Sequence, residues 1–147
     1  MTIQERLTEA MKTAMKAQES LRLNAIRMAR TAIKNAEIEV RGPLDDAGVI
    51  KVLSTLVKQR REAADAYRDT RPELAVKEEQ ELAILQEFLP AQMSEAEIKA
   101  VIEAAVAETG AAGPRDMGAV MKLVTPRTTG RADGRLVSDL VKARLAG

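Results

Sequence analysis

Apolar residues return every three or four positions in run after run along this chain, which is the period of an α-helix. Three of the runs open on a capping box, in which a Ser/Thr hydroxyl and a Glu three residues later satisfy exposed backbone N–H groups reciprocally. The pairs are Thr2 with Glu5, Thr70 with Glu73, and Ser94 with Glu97. The spacing predicts a first helix over about 3–17, with Ile3, Leu7, Met11 and Ala14 on one stripe. A second runs from Ser20 to Arg41, before Gly42-Pro43. Leu21, Ala25, Met28, Ala32 and Ala36 line one side of it, with Ile26, Ala29 and Ile33 adjacent. A third is expected over 46–69, and a fourth from about 71 to Leu89. Long helices with short connections pack as antiparallel neighbours.

The texture changes at Leu89-Pro90-Ala91-Gln92-Met93. The first 90 residues hold only Gly42 and Gly48, whereas the last 57 hold six glycines. Pro90–Met93 therefore reads as a boundary between subdomains at 1–90 and 94–147. Beyond it, a fifth helix follows Ser94 and stops at Gly110. A short sixth carries Met117, Val120, Met121 and Val124 and ends before Pro126, and a seventh follows Asp133, a good N-cap. The fold expected is all-α: a helical bundle followed by a small three-helix subdomain.

Composition agrees with this and narrows the chemistry. Aromatic residues are reduced to Tyr67 and Phe88, while Ala, Leu, Val, Glu, Lys and Arg dominate, a mix that favours helices over strands. Cysteine and histidine are both absent. Disulfides, the usual zinc sites, and His- or Cys-based catalysis cannot be built from such a chain. It has no Gly-x-Gly-x-x-Gly and no Walker loop. The serines lack a Ser-x-x-Lys spacing, and two of the four read better as caps. No catalytic residue, metal ligand or cofactor is assigned. Glu78 and Glu81 share a helix face, where they could hold a cation or act as an acid pair. A solvated acidic face around Lys77, Glu78, Glu79 and Glu81 is the commoner cause of such a cluster. No apolar run approaches the ~20 residues of a membrane span. The N-terminus turns amphipathic at once without a signal-peptide core, so a cytoplasmic protein is expected.

The formal net charge is +1, from 23 basic and 22 acidic residues, so nucleic-acid binding would need a local patch. Two stretches qualify. On the second helix, Arg27, Arg30, Lys34 and Arg41 lie along one stripe. Glu37 and Glu39 dilute that stripe, and a solvated face accounts for it better. In the tail, seven basic residues from Arg115 onward face three acids. Lys122, Arg127, Arg131 and Arg135 bracket a turn over 126–134, where they can converge. Gly130 allows close backbone approach, and the first amides of the seventh helix add a weak anion preference. Point charges with free N–H groups are the means by which a phosphate backbone is met. With so few aromatics, base stacking on a platform is disfavoured, and recognition of a folded RNA by shape and phosphate remains.

The segments Arg22–Met28 (RLNAIRM), Lys58–Arg61 (KQRR), Lys77–Pro90 (KEEQELAILQEFLP), Asp116–Met121 (DMGAVM) and Gly130–Val137 (GRADGRLV) together resemble the YqeY family. These are small proteins similar to the tail of the B subunit of the glutamyl-tRNA(Gln)/aspartyl-tRNA(Asn) amidotransferase, GatB. The likeness to GatB is firmest in the last third of the chain. The resemblance implies an all-helical module that helps hold tRNA, with amidotransferase or translation components as partners. It also implies a link to carbon–nitrogen ligases with glutamine as amide donor, whose ATP-dependent chemistry resides in other domains and subunits. A protein-interaction adaptor that binds no nucleic acid is the remaining alternative, motivated by near-neutral charge and by the mixed faces of the first four helices.

Overall fold

A computed structural model describes residues 1–147 as seven α-helices and one 3₁₀ turn, with no strand. The helices are α1 (Ile3–Lys16), α2 (Ser20–Val40), α3 (Asp46–Tyr67), α4 (Pro72–Gln86), α5 (Glu95–Thr109), α6 (Met117–Thr128) and α7 (Gly134–Ala146), with the turn at Pro114–Asp116. They form two compact units, Met1–Pro90 and Ala91–Gly147.

In the first unit α3 and α4 pack together most extensively, and α1 and α2 lie against each other and on α3. Ile3 and Leu7 of α1, Ile26, Ala29 and Ile33 of α2, Val49, Leu53 and Val57 of α3, and Leu85 with Phe88 make one apolar core. Burying each of the larger of these side chains contributes about 1.5–3 kcal/mol. The inward stripe of α2 is therefore Ala25, Ile26, Ala29 and Ile33. The Leu21–Ala36 side is only partly covered, and Met28 on it stays 43% exposed.

Glu37 fastens the end of α2. Its Oε2 accepts the Leu44 N–H (2.9 Å) and the Gln4 side-chain amide (3.4 Å), tying α1, α2 and the following loop together. Asp46 Oδ1 similarly accepts the Ile3 N–H (3.0 Å) at the start of α1.

Two helix ends differ from expectation. Thr70 does not cap α4. The residue before a proline is pushed out of the helical region, so Arg71, at φ −139° and ψ 72°, becomes the boundary, and Pro72 supplies the first helical position with its φ already set. At its other end α4 gives way to i→i−3 bonds through Leu89, ahead of Pro90. The second difference is in α6, which runs through Pro126 to Thr128. The proline removes one ladder bond, but the last turn gains others. Thr128 Oγ1 donates to the Val124 carbonyl (3.1 Å) and Thr129 Oγ1 to that of Thr125 (2.7 Å).

The second unit is a three-helix core of Ile98, Ile102, Ala105, Val106, Val120, Val124, Val137, Val141 and Leu145. Its helices start and stop on strong local signals. Ser94 and Glu97 form a complete capping box on α5, which ends on Gly110 at φ 69°. Asp116 Oδ2 accepts the N–H groups of Ala112 (2.8 Å) and Gly113 (3.3 Å), closing the turn before α6.

Candidate functional site

The tail positions proposed from sequence fall on three pieces of the second unit. Lys122 and Arg127 project from α6, Gly130 and Arg131 lie in the connection to α7, and Arg135 sits in the first turn of α7. Because α6 continues through Pro126, Arg127 is a helical residue, and the true turn is shorter than the 126–134 expected.

Their environments differ. Lys122 and Arg135 are exposed and meet no carboxylate. Arg127 reaches Glu108 at 3.9 Å, with the two side chains 49% and 59% exposed. Exposed pairs of this length are worth about 0–1 kcal/mol, so a phosphate can displace the carboxylate at little cost. Arg131 is less free. Its Nε donates to the Ala91 carbonyl (3.1 Å), its own carbonyl accepts the Met93 N–H (2.7 Å), and Glu97 lies 4.0 Å away. It acts first as a clamp holding the 91–93 segment on the turn.

Gly130 differs from expectation more clearly. It is buried, its φ is +80°, and its carbonyl accepts from the Gln92 amide (3.1 Å). The turn itself requires a glycine there, which removes the need for a ligand-approach role. The anion preference of the α7 amides is met internally, since Asp133 caps the helix by accepting the Arg135 N–H (3.3 Å). What remains presented is side-chain charge: Lys122, Arg127 and Arg135. No acid interrupts residues 117–132.

Glu78 and Glu81 are neither a cation site nor a solvated face. Arg60 Nε lies 2.9 Å from Glu81 and 3.5 Å from Glu78, and Glu81 is only 7% exposed. The guanidinium occupies the place where a cation would sit. This network joins α3 to α4 inside the first unit. No group of three or more Asp, Glu, His or Cys side chains converges as a metal site would need. Arg27, Arg30 and Lys34 of α2 are exposed, and none meets a carboxylate. No helix is long and apolar enough to cross a membrane.

Comparison with known proteins places this arrangement. The chain is similar to three yeast proteins named "Altered inheritance of mitochondria protein 41, mitochondrial". It is 36% identical to that of Eremothecium gossypii over 87 residues, covering 58% of this chain and 48% of the relative. It is 35% identical to that of Vanderwaltozyma polyspora over 85 residues, 56% of this chain and 46% of the relative. For Lachancea thermotolerans the figures are 33% over 113 residues, 74% and 60%. The chain thus spans about half the length of the relatives it matches best in identity. The family model described as Yqey-like protein matches residues 4–145, nearly the whole chain. This all-helical protein belongs to the YqeY family.

Proposed function

We propose that this protein is a non-catalytic tRNA-binding module, acting with amidotransferase or translation components, and that it works in the cytoplasm. The observation that carries the reading is the cationic corner of the second unit. Lys122 and Arg135 lack carboxylate partners, and Arg127 has only a long, exposed one. Uncompensated exposed cations on an otherwise near-neutral protein are what a phosphate backbone seeks. The lack of histidine, cysteine and a convergent acid group supports assigning amide transfer to other subunits rather than to this chain.

The test is a shift assay of the purified protein with bulk tRNA. Reversing Lys122, Arg127 and Arg135 to Glu together is expected to weaken binding at least about tenfold, since each lost phosphate contact also lowers the salt dependence. Arg131 is left intact because it holds the turn. Unchanged affinity in the triple variant would remove this corner from the interface. Incubation with misacylated tRNA, glutamine and ATP is expected to yield no amide product, and turnover would make the chain an enzyme component.

A second reading, an adaptor for another protein, draws on Ile38 and Val40, 67% and 61% exposed at the end of α2. Co-purification of a stoichiometric protein partner that survives nuclease treatment would favour it over the RNA reading.

A further inference from the structure

The outer ridge of α2 presents Asn24, Arg27, Arg30, Thr31, Lys34 and Asn35, with Met28 among them. Residues 20–36 contain Arg22, Arg27, Arg30 and Lys34 and not one acid. Arg22 turns aside to pair with Glu87 at 2.7 Å, leaving the other three exposed without a carboxylate. Arg30 touches only the Met11 sulfur (2.8 Å). Glu37 accepts from the Leu44 N–H and the Gln4 amide, both neutral donors, so one negative charge stays at the C-terminal end of the ridge. Glu39 lies beyond the ridge, five residues past Lys34.

Open grooves flank the ridge on both sides. One, of about 520 Å³, lies toward α1 and is lined by Gln4, Met11, Arg27, Arg30, Lys34 and, at its end, Glu37. The other, of about 580 Å³, lies toward α3 and α4, with Asn24, Arg27 and Asn35 on its α2 wall and Leu21, Leu56 and Glu81 also lining it. Arg27 and Thr31 border both.

We infer that this ridge is a second RNA-contacting surface, with Arg27, Arg30 and Lys34 on successive phosphates and Asn24, Thr31 and Asn35 donating to backbone oxygens. The inference rests on RNA being the ligand, as proposed above, but not on the tail residues. From Arg27 to Lys34 the helix advances about 10 Å, a length over which a nucleic-acid strand presents several phosphates. Neutral amides and hydroxyls set between the cations match the mixture that makes phosphate and sugar contacts. A lipid surface fits poorly, because a membrane-lying helix must sink its apolar face, and Ala25, Ile26, Ala29 and Ile33 are committed to the core. A protein partner fits less well, since Met28 is the one large apolar side chain on this ridge that is more than a third exposed.

The test measures tRNA affinity of the full chain across a salt series for four proteins. These are the unaltered chain, Arg27→Glu/Arg30→Glu/Lys34→Glu, the milder Arg27→Gln/Arg30→Gln/Lys34→Gln, and the tail variant described above. The ridge residues are exposed, and circular dichroism checks that helix content is kept. Reversal is expected to weaken binding about tenfold or more, and neutralisation to lower the log–log salt slope by about 2–3. Loss in the ridge variants but not in the tail variant supports the ridge and refutes the tail corner. Ridge variants with unaltered affinity and slope, beside a weakened tail variant, overturn the ridge while leaving the tRNA reading intact. Failure of the unaltered chain to bind overturns both. Binding to phosphatidylserine vesicles that the ridge variants lose, with tRNA binding retained, would also overturn this assignment.

Discussion

Arg60 has most of its side chain out of water and two carboxylates to answer for. Its own exposure is 16%, and those of Glu78 and Glu81 are 20% and 9%. In such a place the pair adds little net stability over an apolar replacement, but removing one member strands the others. Arg60→Ala is therefore expected to lower the unfolding free energy by about 3 kcal/mol. Urea denaturation with an unchanged m-value would show it, and a loss below about 0.5 kcal/mol would mean that water already reaches the carboxylates. Sequence alone could not reveal this network. Glu78 and Glu81 read as a charged helix face, and only the packing of α4 on α3 turns that face inward. Glu37 teaches the same lesson: its spacing puts it on the cationic stripe, but a loop amide claims its carboxylate.

At the scale of elements, the chain's own punctuation did most to mark the helices. Ser94 with Glu97, Gly110 and Asp133 lie where α5 and α7 begin or end. The failures are also local. Thr70 has the right spacing to Glu73, but Pro72 dictates where α4 starts. Pro126 does not end α6, which continues through it to Thr128. The inward stripe of α2 was legible only as one of two adjacent rows, since choosing between them depends on what α1 and α3 present. The α5 cap leads to a pH prediction. The Ser94 N–H and hydroxyl, and more weakly the Arg131 charge, hold the Glu97 carboxyl below its usual range. A carboxyl whose folded value is depressed stabilises the fold above its unfolded pKa and loses that contribution as pH falls through the folded value. Between about pH 5 and about pH 3 the native protein should lose more thermal stability than Glu97→Gln. Parallel melting curves for the two would show that the carboxylate does not hold the cap.

The whole molecule carries a formal charge of +1, yet keeps two stretches free of acids, 20–36 in one unit and 117–132 in the other. The tail stretch was legible in sequence because cations there outnumber acids. The α2 stripe was legible too, as Arg27, Arg30 and Lys34 on one face, but with Glu37 and Glu39 close by a solvated face accounted for it better. A protein with this distribution has no long-range field to collect anions, and any RNA affinity must come from short-range phosphate contacts. Such contacts release counterions, so binding should weaken steeply with salt. The direct measurement is the affinity of the unaltered chain for bulk tRNA between about 50 and 200 mM salt. With five exposed cations, Arg27, Arg30, Lys34, Lys122 and Arg135, free of carboxylates, the expected log–log slope is about −3.5 to −4.5. No binding at the low-salt end, or binding indifferent to salt, would contradict the account.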